Sequence, residues 1–159
     1  MKRGSTIFLK AVIVFVGIMA LAGLIRFPLT EGRAANLDLF SIYWDPVIVY
    51  MYVASIPFFV ALYQAFKLLG YIGKNKVFSL NSVKALRTIK YCAIAIASFI
   101  VVGEVCLIIT QHGNDDMAGV ISLGIITTFI SIVIATAAAI FEKLLQSAVD
   151  IKSENDLTV

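Results

Sequence analysis

Glu104 is the one charged residue between Tyr91 and Asn114, a stretch otherwise apolar enough to lie in hydrocarbon. A carboxylate in such a place is costly, and it faces the interior of a helix bundle, a partner group or water. It stands about 10 residues before the outer end of its segment, roughly 15 Å at 1.5 Å per residue. At comparable or slightly shallower depth come Tyr50, Tyr52 and Ser55 of a second apolar segment and Ser122, Thr127 and Thr128 of a third, while Arg26 can reach down from a fourth. Glu104, Arg26, Tyr52, Ser55 and Thr127 therefore make up a candidate intramembrane polar site. Two readings of Glu104 stand side by side: a structural group satisfied by hydrogen bonds or an ion pair, and a proton- or cation-coupled site.

Other chemistry is sparse. His112, Asp115 and Asp116 bring nitrogen and oxygen ligands into one short turn, but three such groups adjacent in sequence read first as a solvated turn. The chain has 1 histidine, no HExxH pair, no phosphate-cradling glycine loop and no Gly-x-Ser-x-Gly elbow. Neither metal nor cofactor is expected, and the sequence does not read as an enzyme. Cys92 and Cys106, both expected on one helix and out of each other's reach, read as small packing residues.

The elements that must position these groups follow from composition. The 159 residues are 60% hydrophobic and 14% charged, with mean hydropathy +0.96. Soluble domains have roughly 45–50% apolar and about 25% charged residues, so this chain has too little polar surface for a soluble fold. Four spans are predicted, at 7–25, 47–66, 91–111 and 117–141, in a single all-α membrane domain forming a four-helix bundle. Lys10 lies near enough to the end of the first span to snorkel toward headgroups, and Pro57 should kink the second. A charged start before an apolar run is also the pattern of a secretory signal peptide, with Gly32 and Ala34 as small residues near a cleavage point. Phe40, Tyr43 and Trp44 suit the water–lipid boundary. Small residues four apart, Ala93 with Ala97 and Ala135 with Ala139, predict a close antiparallel pairing of the third and fourth spans.

Between the second and third spans, residues 67–90 carry Lys67, Lys74, Lys76, Lys84, Arg87 and Lys90 without one carboxylate. Of the 13 cations, all but Arg26 and Arg33 fall on the side of this loop. The positive-inside rule then puts the loop and both termini in the cytoplasm, an N-in/C-in arrangement. The mixed-charge tail 142–159 is expected to be a helix end that frays. The net charge of +3 is too small for nucleic-acid binding by bulk charge.

Within the loop, Ser79 is a predicted N-cap for a helix that starts at Leu80 and continues into the third span. Lys84, Arg87 and Lys90 then recur on one helical face, either against anionic headgroups or as a docking surface with Phe78, Ser79, Asn81 and Leu86. The run Phe78-Ser79-Leu80-Asn81-Ser82-Val83-Lys84-Ala85-Leu86-Arg87-Thr88-Ile89 resembles the Phe-Ser/Thr to Leu-Arg-x-Ile element of the bacterial DUF2975 family. The resemblance implies a small four-span protein of the bacterial cytoplasmic (inner) membrane, often encoded beside a short Cro/C1-type helix-turn-helix regulator. That regulator is the partner it suggests, besides the lipid bilayer. The expectation is therefore a non-enzymatic membrane protein that modulates or sequesters such a regulator. The alternative is a small homo-oligomeric transporter or toxin-immunity protein working through Glu104.

Overall fold

A computed structural model of the chain describes residues 3–30, 42–110 and 117–156. Four helices account for nearly all of them: α1 (Arg3–Thr30), α2 (Pro46–Gly73), α3 (Leu80–Thr110) and α4 (Met117–Asp156). All four are long and apolar enough to cross a membrane. Phe40, His112, Asp115 and Asp116 lie outside the described residues.

The helices start where local chemistry supplies a cap. Asp45 precedes α2, its Oδ1 accepting from the Val47 N–H at 2.8 Å, and Pro46 occupies the first helical position, where no amide donor is needed. Six residues, 74–79, join α2 to α3 and spend nearly all of their backbone on capping. The N–H of Lys76 donates to Tyr71 O at 2.9 Å and that of Asn75 to Ile72 O at 3.1 Å, while Asn75 takes the left-handed φ of 57°. This is the Schellman closure of a helix, with asparagine in the position that glycine most often fills. Ser79 then caps α3 as predicted: its hydroxyl accepts from the Ser82 N–H at 3.4 Å and donates to Lys76 O at 2.9 Å. α2 continues unbroken through Pro57.

At roughly 1.5 Å per residue, α3 is about 46 Å long and α4 about 60 Å, against about 30 Å of hydrocarbon, so both must project beyond it. The expected fraying tail is accordingly corrected. α4 remains helical through Asp156 because good helix formers follow Glu142 and Gln146 Nε2 bonds Asp150 Oδ1 at 2.8 Å one turn on.

The helices pack in chain order, α1 on α2, α2 on α3 and α3 on α4, the last pairing being the most extensive. No other helix pair among the described residues makes more than marginal contact, so the bundle is open. Its interior is thin and built of Ile48, Val83, Leu86, Cys92, Ala93, Ala135 and Ala138. Large apolar side chains such as Phe15, Ile56, Val102 and Phe129 point outward, as they should where the surrounding solvent is acyl chain. The small-residue prediction holds in outline. Ala93 and Ala135 are buried, Ala97 and Ala139 line a furrow between α3 and α4, and Ala138 is the further buried member.

Thr6 sits against Gly73 and the Lys10 ammonium beside Gly70. Ala148 and Ile151 of α4 share a groove with Phe78. The start of α1 and the end of α4 are therefore on the same side as the 74–79 connection, called here the basic end.

Candidate functional site

The α3–α4 seam carries two carboxylates in opposite circumstances. Near the basic end, Glu142 of α4 receives Arg87 Nε on Oε1 and Lys90 Nζ on Oε2, both at 2.6 Å. Its side chain is only 10% exposed, with Lys90 at 22% and Arg87 at 54%. Both oxygens thus accept a charge-assisted bond from one turn of α3, closing a latch between the helices. The cation stripe read from sequence splits here: Arg87 and Lys90 pair with Glu142, and Lys84 is exposed and makes no salt bridge among the described residues. Glu142, read from sequence as the first residue of a tail, is the group that was missed. An acidic residue immediately after an apolar run, facing a cation pair on the preceding span, was the available signal.

About 21 Å along α3 from Lys90, at 1.5 Å per residue, Glu104 meets α4 in a different way. Its carboxyl group lies in the notch left by Gly124, so close that a Cβ there would overlap Oε1 and Cδ. Oε1 is buried and has no hydrogen-bond partner among the described residues. One turn from Gly124, on the same face of α4, Thr128 Oγ1 is also buried and unpartnered. On the neighbouring face of α3, Tyr50 of α2 packs against Gly103 and donates its hydroxyl to Phe99 O at 2.6 Å. Gly124 was not singled out from sequence, since a glycine inside an apolar run has no pattern of its own.

The remaining members of the predicted polar site lie elsewhere. Tyr52 donates to Leu24 O of α1 at 3.0 Å, and Ser55 donates back to Tyr52 O at 2.7 Å, which puts the Tyr52 hydroxyl at the α1–α2 interface. Arg26 belongs to α1, which packs on α2 and not on α3. Thr127 is exposed and bonds its own helix at Leu123 O, 2.7 Å away. The grouping assumed a closed bundle; because the bundle is open, Arg26 and Tyr52 are separated from Glu104 by the width of α2. Thr128 is the neighbour that shares its seam.

Of the predicted docking residues, Leu86 is buried and supports α3 from within. Phe78, Asn81 and Lys84 face outward, and Ser79 is committed to the cap. Phe78 lines a groove of about 710 Å³ between the 74–79 connection and the projecting part of α4, together with Lys76, Ala148, Ile151 and Lys152. Among the described residues no group of histidine, cysteine, aspartate and glutamate side chains is placed to hold a metal ion.

Residues 28–159 match the sequence model of DUF2975, described as a protein of unknown function. The whole chain is 49% identical over 162 residues to the whole of the uncharacterised membrane protein YoaS of Bacillus subtilis (strain 168). No solved structure matches the chain.

Proposed function

The chain belongs to the DUF2975 family of multi-pass membrane proteins, and from there we propose that it is a non-enzymatic docking protein of the bacterial cytoplasmic membrane that holds a small soluble helix-turn-helix regulator at its basic end. The observation that carries this reading is the groove lined by Phe78, Ala148 and Ile151 and flanked by Lys76 and Lys152. An apolar floor with cationic edges suits an amphipathic helix whose polar side is acidic. The 13 cations, placed almost wholly at this end, support a cytoplasmic location for it. The groove also lies between the connection that leads into α3 and the part of α4 beyond the Glu142 latch, so a partner seated there touches α4 and the cap of α3. A photo-crosslinker at Phe78 or Ile151 in cells is expected to capture one small soluble protein encoded nearby. Capture of lipid alone would remove the proposal, and a reporter at Ala35 that gives cytoplasmic signal would remove the orientation on which it depends.

The unpartnered Oε1 of Glu104 favours a second reading, a small transporter or toxin-immunity protein that works as a homo-oligomer around this residue. Proteoliposome flux abolished by Glu104→Gln is the result that reading requires; flux indifferent to the change sinks it.

A further inference from the structure

At the basic end a second cavity, about 390 Å³, opens between α1, α2 and the 74–79 connection. Lys10, Lys67, Lys74 and Lys76 line it, with Asn81 at one edge and Phe66 within it, and no carboxylate takes part. These four lysines differ from Arg87 and Lys90. None of them lies within salt-bridge distance of an acidic group among the described residues. Two reach over aromatic rings instead, Lys10 with its ammonium 4.9 Å from the Phe66 centroid and Lys67 at 4.6 Å from that of Tyr63. Such contacts are worth about 0.5–1 kcal/mol at exposed sites, far less than a partner anion supplies to a covered cation.

Lys10 is the most informative of the four. It is the one charge in the apolar run from Ile7 to Ile25, and its ammonium crosses to α2 through the space that glycine leaves at position 70, where a Cβ would stand 3.5 Å from Nζ. One turn earlier on the same face of α1, Thr6 is 5% exposed, packed on Gly73, and its Oγ1 has no hydrogen-bond partner. The α1–α2 contact at this end thus gathers cations with no acidic partner among the described residues about a cavity of the size that takes an organic molecule, with the Thr6 hydroxyl packed beside it at Gly73.

We propose that this cavity binds a phosphate group carried on an organic body, the chemistry that an anionic phospholipid headgroup and a soluble phosphate ester share. The phosphate takes the ammonium groups of Lys10, Lys67, Lys74 and Lys76, and the body lies toward Phe66. Basic pockets between membrane helices are a recurring way of holding anionic headgroups, and the cavity lies at the basic end, where α2 gives way to the 74–79 connection. The inference is separate from the regulator docking proposed above: the two cavities share only Lys76 and Ser79, and Lys10, on which the test turns, lines this one alone.

The full chain, reconstituted in vesicles of equimolar phosphatidylcholine and phosphatidylglycerol and released into mild detergent, is to be examined by native mass spectrometry. Preferential retention of phosphatidylglycerol is expected. Lys10→Gln should weaken that retention about fivefold, the equivalent of one interfacial lysine, and Lys10→Arg should preserve it. Lys143→Gln, an equal loss of charge outside the cavity, should leave it unchanged. Displacement by glycerol 3-phosphate that Lys10→Gln abolishes identifies a soluble ester as occupant, and lipid retained against that competitor identifies the headgroup. Equal losses in Lys10→Gln and Lys143→Gln overturn the site, since the lysines then act only through diffuse charge. Helical content measured on each variant shows that the comparison is between folded proteins.

Discussion

Glu142 and Glu104 are both acidic side chains on the α3–α4 seam, and they differ in what meets them. Two cations of α3 meet Glu142, one at each oxygen. What meets Glu104 is the missing side chain of Gly124. In the first case opposite charges on neighbouring helices hold the seam together. In the second, van der Waals closeness admits a carboxyl group of which one oxygen is buried without a hydrogen-bond partner among the described residues. Removing a satisfied group leaves its partners exposed to the full cost of desolvation, whereas removing an orphan relieves that cost. Glu142 is accordingly a stability residue, and Glu104 is the one whose presence calls for another explanation.

The contrast is most easily broken at the latch. Glu142→Lys sets three cations against one another and should lower stability by roughly 3 kcal/mol, near the range for disrupting a covered ion pair, measured by thermal unfolding in mild detergent. A loss below that of Glu104→Gln would end the assignment of the two roles. Gly124→Ala should cost about 2 kcal/mol in the parent chain, as overpacking does, and clearly less in a Glu104→Ala background. Equal losses in both backgrounds would mean that the notch and the carboxyl group are not coupled. Glu104→Gln alone should shift stability by no more than about 0.5 kcal/mol, so any large loss of activity in that variant speaks for a functional carboxylate. The smallest effect is that of salt. Because Arg87 is half exposed, raising ionic strength should slightly lower the melting temperature of the parent chain and leave that of Glu142→Gln unchanged.

Much of the fold was legible in the sequence because hydrocarbon imposes simple demands. Long uncharged runs such as 47–66 must be helices, and a serine before Leu80 marks where one begins. The Ala93 and Ala135 pairing was legible for the same reason, since small residues are what lets backbones approach in lipid. What could not be read was which helix meets which. Depth along the membrane normal placed Tyr52 near the level of Glu104 and let Arg26 reach down toward it, but depth is one coordinate, and the open order of packing sets them on another interface. Likewise, the six cations of residues 67–90 look alike in sequence. Only the register of α3 on α4 shows that Arg87 and Lys90 are neutralised, and only the approach of α1 to α2 shows that Lys67, Lys74 and Lys76 share a cavity with Lys10.

The reach of α4 past the latch has a mechanical consequence. From Gly124 to Glu142 the helix runs about 27 Å, and from Glu142 to Ile151 about 14 Å, at 1.5 Å per residue. One continuous helix carries all three positions, so the notch at Gly124 and the groove beside Phe78 lie toward the two ends of a single rod that the latch fastens about two thirds of the way from the one to the other.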